Sequence, residues 1–483
     1  MSLSAALNTA RSSLQSTSTQ ISVAGRNVAG ASDPSYSRKI ATTVPTDGGV
    51  RTVVTRATDP ELYTRMLGAT SDAAKAKSTL SGLDQLYDTI GDTQDDTSPG
   101  AKIGKLLSSL STLADQPDQP ALATQLVAEA KNVVTTLNEA TKSVQGIRGD
   151  ADSQMASAVG SVNDLLQQFQ KLNQQIVAGT AKGADVTDQL DQRDGVLSKL
   201  SEQMGITVLS RANNDMAVYT DSGVTLFDQS ARTVSFSATT PLTAGATGNA
   251  VYVGGVPVTG PGASMALKSG AIAGLATLRD TVLPTYQNQL DEMARTLISG
   301  FSEADQSGAG GPKLAGLFTN GTDSTVPGGL TVGLAGTISV NSKVDPQKGG
   351  NAQLLRDGGI NGTAYTYNTS GASGYADRLR GTVDALNAKH TFDAGTGLPT
   401  SVTLSEFGSN SVGWVASTRK AATSDDTYQS ALLTRASDAL SNATGVNMDD
   451  EYANQLQLEK SFAASSKLIS IIDKMYETLL GIG

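Results

Sequence analysis

The sequence predicts a mainly α protein with smaller β parts: an elongated molecule with coiled-coil helices at both termini, a bundle of long helices and a small β subdomain. Three patterns carry this prediction. Near the N-terminus Leu3, Leu7, Ala10, Leu14, Thr17, Ile21, Ala24 and Val28 alternate spacings of four and three residues, and Leu458, Phe462, Ser465, Ile469, Ile472, Tyr476 and Leu479 repeat that heptad seam near the other end. In the middle, Leu122, Leu126, Ala130, Val133, Leu137, Ala140, Val144 and Ile147 form one helical stripe, and Met155, Val159, Val162, Leu166, Phe169, Leu172 and Ile176 form the next. Between Gly205 and Gly262 the apolar period falls to two. Aromatics make up only 4% of the chain beside 50 glycines and one tryptophan, which favours slender elements packed on small residues over one large core.

Taken in order, the first helix should end near Gly30, because Asp33 and Pro34 follow and the residue before proline disfavours helix. Thr42, Thr43 and Val44 precede Asp47, Gly48 and Gly49, with Val50, Thr52, Val53 and Val54 beyond, and predict a β-hairpin. After Pro60 the chain reads as helix broken at Ser98–Gly100, Pro117–Pro120 and Gly179–Gly183. Such long helices with narrow stripes pack side by side as an antiparallel bundle. Beyond the β subdomain, a helix is predicted from about Leu267 to Ala304 with a kink at Pro284. An irregular Gly-rich stretch, a strand around Leu330–Val340, a helix near Ala376–Ala388, a short hairpin within Phe392–Leu404 and an Ala-rich helix over Val412–Asn442 complete the chain.

Composition narrows the function classes. A net charge of −10 argues against nucleic acid as the main partner, and no run of apolar residues is long enough to span a membrane. The first 30 residues lack the basic start and apolar block of a cleavable secretory signal. Without cysteine, and with His390 alone, thiolate metal sites and most His-based catalysis are ruled out, and no cofactor or metal site is expected. Asp191, Arg193 and Asp194 have no nucleophile or phosphate loop beside them and read as a salt-bridged helix face. Asn447 reads as an N-cap followed by first-turn acids Asp449, Asp450 and Glu451. His390 in its polar turn is expected to face solvent or cap a helix, and Trp414 to anchor packing at the head of a helix.

Two stretches go beyond pattern. Asn27-Val28-Ala29-Gly30 followed by Pro34-Ser35-Tyr36-Ser37-Arg38-Lys39 resembles the signature of the bacterial flagellar axial proteins, in which Asn-(Ile/Val)-Ala-Asn leads to Gly-Tyr-(Ser/Thr)-Arg. Gly445-Val446-Asn447-Met448-Asp449-Asp450-Glu451-Tyr452 resembles the segment that opens the family's C-terminal helix. Gly30 and Ser35 depart from the first signature, though both remain turn-forming residue types. A third stretch, Leu190-Asp191-Gln192-Arg193-Asp194, resembles the branch of the family that joins hook to filament.

The resemblance implies a structural, non-enzymatic role in the extracellular flagellum, with export in an unfolded state by the flagellar type III apparatus. It implies self-association in a ring, contacts with the flagellar hook protein and hook-associated protein 3, an export chaperone on the C-terminal helix, no nucleic acid and no membrane insertion. The expected assembly residues are Leu7, Leu14, Ile21, Asn27, Val28, Tyr36, Arg38, Val446, Asn447, Leu458, Phe462, Ile469, Ile472, Tyr476 and Leu479. The organisation it implies is a terminal coiled-coil layer (1–35 with 445–483), a helical domain (36–307 with 376–444) containing the β subdomain at about 205–262, and a reduced outer region (308–375). Another axial protein of hook, rod or filament type is the alternative within the family. A secreted adhesin or binding module is the alternative outside it.

Overall fold

The computed structural model describes residues 3–33, 35–46, 49–90 and 97–481. Pro34 and the predicted turn at Asp47 and Gly48 lie outside the described residues.

The protein is mainly α. Helix α1 (Leu3–Gly30) is followed by the antiparallel hairpin of β1 (Lys39–Thr46) and β2 (Gly49–Arg56), then by α2 (Pro60–Ile90) and α3 (Pro99–Asp115). The Ser98 side chain accepts from Ala101 N at the start of α3, and Pro99, which has no N–H to leave unpaired, opens the helix. Helix α4 (Pro120–Ala181) runs unbroken for 62 residues, about 90 Å at 1.5 Å per residue. Both predicted stripes lie on it, and Leu126, Val133, Leu137, Val144, Met155, Val162, Phe169 and Ile176 have no exposed surface. Helices α2, α3 and α5 (Thr187–Gln203) pack along it.

The β subdomain is a four-stranded antiparallel sheet, in the order β3 (Ile206–Ser210), β4 (Met216–Thr220), β5 (Thr225–Asp228) and β6 (Ser230–Ala231). Beside it stand β7 (Val234–Ser235), β8 (Tyr252–Val253) and β9 (Val256–Pro257). Phe227 of β5 meets Phe169 of α4 edge to face, with centroids 4.9 Å apart, which fixes the sheet on the long helix.

The predicted helix over 267–304 divides into α6 (Ala271–Thr277) and α7 (Leu283–Gly300), with a π turn at Leu278–Val282 between them. The irregularity therefore falls in the turn before Pro284. Arg279, fully buried in that turn, pairs with Asp152 and Asp280 and donates to Asn249 O at 2.9 Å. Satisfied partners on three sides are what make a buried guanidinium tolerable.

Between 308 and 375 only short elements form: β10 (Phe318–Asn320), α8 (Leu334–Thr337), β11 (Ile338–Val340) and α9 (Leu354–Asp357). The strand expected over 330–340 is thus confined to its last three residues, because Gly333, at φ 88°, turns the chain into a single helical turn first. Two buried carboxylates hold these loops. Asp291 of α7 accepts from Gly333 N and Ala335 N, each at 2.8 Å, and Glu303 pairs with Arg378 at 3.0 Å and accepts from Asn361 N at 2.9 Å.

Helix α10 (Asp377–Asn387) precedes β12 (His390–Thr391) and β13 (Ser401–Val402). His390 is half-buried, with its Nε2 unpaired and its ring edge-on to Phe392, and its hydrogen bonding to the backbone of Ala385 and Leu386 in the last turn of α10 is the expected capping role. Helix α11 (Leu404–Thr444) begins eight residues earlier than the Ala-rich composition predicts. A capping box explains this: Thr403 caps Glu406 N while the Glu406 carboxylate accepts from Thr403 N. Trp414 consequently lies well inside α11, where it stacks on Tyr286 at 6.5 Å. Helix α12 (Met448–Leu480) closes the described chain, capped by Asn447 Oδ1, which accepts from Asp449 N and Asp450 N.

Candidate assembly site

Helices α1 and α12 pack against each other, so the two heptad seams meet within one chain. On α1 the small seam residues Ala10, Thr17 and Ala24 are buried, while Leu7, Leu14, Ile21 and Val28 are half-buried. On α12 only Ile472 of the seam is buried; Leu458, Ile469 and Tyr476 are half-buried, and Phe462 and Leu479 remain 38% and 62% exposed. Beside the seam, Leu468, Ile471 and Met475 form a further exposed apolar row that ends at Leu479. The heptad spacing alone did not reveal this second row. Its signal is the apolar residue standing immediately before or after several seam positions, as in Leu468-Ile469 and Ile471-Ile472.

The signature residues at the end of α1 lock the helix to the hairpin. Asn27 is buried, its Nδ2 donates to Lys39 O at 2.8 Å, and its Oδ1 accepts from Lys39 N at 2.9 Å. A primary amide offers one donor and one acceptor in the spacing of a neighbouring strand, so Asn27 completes the open edge of β1. Gln20 Nε2 does the same for Ala41 O at 3.3 Å. Tyr36 is half-buried and its hydroxyl donates to Asn27 Oδ1 at 2.9 Å, while Lys39 Nζ lies 3.7 Å from the centre of its ring. Burial raises the Tyr36 pKa, against an opposing pull from Lys39. The Gly30 departure has a steric reason here: a Cβ at that position would stand 2.5 Å from the Tyr36 ring.

Arg38 joins the start of the hairpin to the α11–α12 corner. Its N–H donates to Thr444 O at 2.8 Å, and its Nε meets the nearly buried Glu451 carboxylate at 2.7 Å. Val446 is half-buried in that corner and Asn447 is exposed as the cap of α12. Of the predicted residues, Asn27, Tyr36, Arg38, Val446 and Asn447 thus gather where the terminal helices meet the rest of the chain. The leucine and isoleucine positions are strung along the helix pair.

The acids of α5, with Asp185 just before it, form the salt-bridged face that Asp191 and Asp194 predict, and their partners come from elsewhere in the chain. Asp185, Asp188, Asp191 and Asp194 interleave with Arg26 of α1, Lys39 of β1 and Arg56 of β2. Lys39 and Arg56 share Asp191 at 2.8 and 2.9 Å, and Arg56 reaches Asp194 at 2.6 Å. Burial alone would lower the Lys39 pKa, but the Asp191 and Asp188 carboxylates outweigh it and the ammonium titrates above its ordinary range. Arg193 points elsewhere, donating to Asn173 Oδ1 at 2.8 Å and Asn214 O at 2.6 Å. The acids' spacing of three was legible in the sequence. Their partners, some 130 to 160 residues away, were not.

An open groove of about 1540 Å³ runs along this joint, lined by β2, the loop after α1, the starts of α2 and α5, and the end of α11. Among the described residues, no helix is long and apolar enough to cross a membrane.

Comparison with known proteins gives a consistent pattern. Residues 83–317 match the family described as flagellar hook-associated protein FlgK helical domain, and residues 439–482 match the flagellar basal body rod FlgEFG protein C-terminal family. Flagellar hook-associated protein 1 of Salmonella typhimurium is 26% identical over 282 residues, 56% of this chain and 49% of that one. The chain thus matches about half the length of that relative. The protein of the same name from Bacillus subtilis is 22% identical over 520 aligned residues, covering 99% of this chain and 98% of its own. The structure of the flagellar hook junction protein FlgK from Burkholderia pseudomallei superposes with a TM-score of 0.58 at 14% identity, over 78% of this chain and 99% of that one. At that identity the superposition speaks for the fold.

Proposed function

From a chain that carries the helical domain of the flagellar hook-associated FlgK family and the C-terminal element of the flagellar rod proteins, we propose a structural subunit at the junction between hook and filament. In this reading it is exported unfolded by the flagellar type III apparatus to the extracellular flagellum, and it has no enzymatic activity. It assembles into a ring with copies of itself, between the hook protein and hook-associated protein 3. Residues 1–35 with 445–483 form its inner coiled-coil layer, 36–307 with 376–444 its helical domain, and 308–375 a reduced outer region.

The observation that carries the proposal is the unequal pairing of the terminal helices. Helix α1 covers one side of α12 and leaves Phe462, Leu468, Ile471, Met475 and Leu479 open along most of its length. A row of that size is a surface that neighbouring subunits bury in the assembly. Before assembly an export chaperone shields the same row. Leu7, Leu14, Ile21 and Val28 on α1, with Leu458, Ile469, Ile472 and Tyr476 on α12, then set the seam. Asn27, Tyr36, Arg38, Val446 and Asn447 hold the seam to the rest of the subunit.

Deletion of the gene tests this directly. Hooks of normal length without filaments, with filament protein released into the medium, are the expected result. Fully motile cells would overturn it.

A further inference from the structure

The row of acids on α5 has a geometry that the junction role does not account for. Asp188, Asp191 and Asp194 recur every third residue of α5, within one helical turn of each other, and Asp185 stands just before the helix begins. Three cations from three different elements fit between them in strict alternation. Arg26 of α1 lies 3.0 Å from Asp185 and 3.5 Å from Asp188; Lys39 of β1 lies 2.9 Å from Asp188 and 2.8 Å from Asp191; Arg56 of β2 lies 2.9 Å from Asp191 and 2.6 Å from Asp194. Each inner carboxylate is shared by two cations. The ladder crosses the boundary between the hairpin with the first helix on one side and the helical body on the other, and it borders the open groove.

Burial is graded along the ladder. At one end Arg26 and Asp188 have 34% and 53% of their side chains exposed, whereas the Lys39 side chain is fully buried and Arg56 and Asp191 nearly so. Exposed pairs contribute little and are screened by salt, while breaking a buried pair leaves an uncompensated charge and is strongly unfavourable. The inner rungs therefore hold and the outer rung yields.

We propose that this ladder is a positioning device: Asp191, gripping Lys39 and Arg56 together, fixes the angle between the hairpin with its terminal layer and the helical body, and Arg26 at the exposed end supplies a rung that salt releases first. The hairpin is the lever. Because Asn27 grips Lys39 through the backbone, whatever holds the Lys39 side chain also aims α1.

The test uses the full-length chain, whose lack of cysteine allows one clean pair of spin labels, at exposed Val44→Cys on the hairpin and exposed Gln175→Cys on α4. Distances between the labels should be narrowly distributed in the native protein. Asp191→Asn should widen the distribution at least twofold. Lys39→Met should widen it comparably, and the two together should add less than the sum of their separate effects, since both cut the Lys39–Asp191 rung. Lys39→Arg should stay narrow. Arg26→Gln should show at low salt the modest broadening that 1 M NaCl causes in the native protein, and salt should broaden it no further. Helix content and melting temperature of each variant report on the body. A native-width distribution in Lys39→Met, with the body intact, overturns the proposal, as does a native distribution already as broad as the variants'. Should Asp191→Asn melt the body, Lys39→Met decides the question, because it alters the hairpin side alone.

Discussion

Helices α4 and α12 both display apolar stripes at heptad-like spacing, and the fold treats them in opposite ways. The stripe of α4 is consumed internally: from Leu126 to Ile176 its large side chains are covered by α2, α3, α5, α6, α7 and the β subdomain. Helix α12 has α1 as its main partner and more apolar surface than α1 covers. Periodicity therefore reports that a helix has a face to bury, and the number of apolar rows against the number of available neighbours decides whether the partner lies inside the chain. One region is a finished core. The other keeps an apolar face open to solvent.

The strongest way to break this contrast is truncation. Removing residues 458–483 should abolish complementation of motility completely, while the cooperative melting of the helical body is retained. Motile cells carrying the truncated protein, or loss of the body's transition, would show that the two regions are not separable as argued.

Point substitutions sharpen the comparison. Phe169→Ala empties a fully buried site between α4 and β5 and should lower the stability of the body by about 3–5 kcal/mol, read from urea unfolding. Leu479→Ala, at an exposed position, should change it by less than about 0.5 kcal/mol. Similar costs at the two positions would mean that α12 is already as fully packed as α4.

A further effect concerns the body's own exception to apolar burial. Burial pushes the Asp291 carboxyl up to about 6, against the opposing hydrogen bonds from Ala335 and Gly333. A carboxyl raised in the folded state keeps its proton where the unfolded chain has lost it, so its contribution is fully present below about pH 4 and lost as pH rises through 6. This group alone should make the body about 2 kcal/mol more stable at pH 4 than at pH 7. Asp291→Asn should flatten that slope in urea titrations across the range. An unchanged slope would refute the assignment.

Elements whose period exceeds a few turns were legible in the sequence. The helix end at Gly30, the hairpin, the stripes of α4, the helix at 377–387 and the Asn447 cap follow from spacing and local chemistry, which act within a few residues. Where short-range signals were weak, boundaries moved. The capping box at Thr403 and Glu406 extended α11, and the turn at Gly333 cut a predicted strand to three residues. In the candidate site, the signature around Asn27 and Tyr36 could be recognised in the sequence. Its mechanism, an amide completing a strand edge beneath a tyrosine for which Gly30 makes room, could not.

The sequence by itself determined which residues seek burial and which helices carry a seam, because periodicity is a property of one element. Tertiary structure alone decided which charges meet: Lys39, Arg56 and Asp191 become one cluster only when segments more than a hundred residues apart are folded together, and no local pattern encodes that distance. It also decided how much of α12 stays open, since that is the difference between the face the helix offers and the face α1 covers.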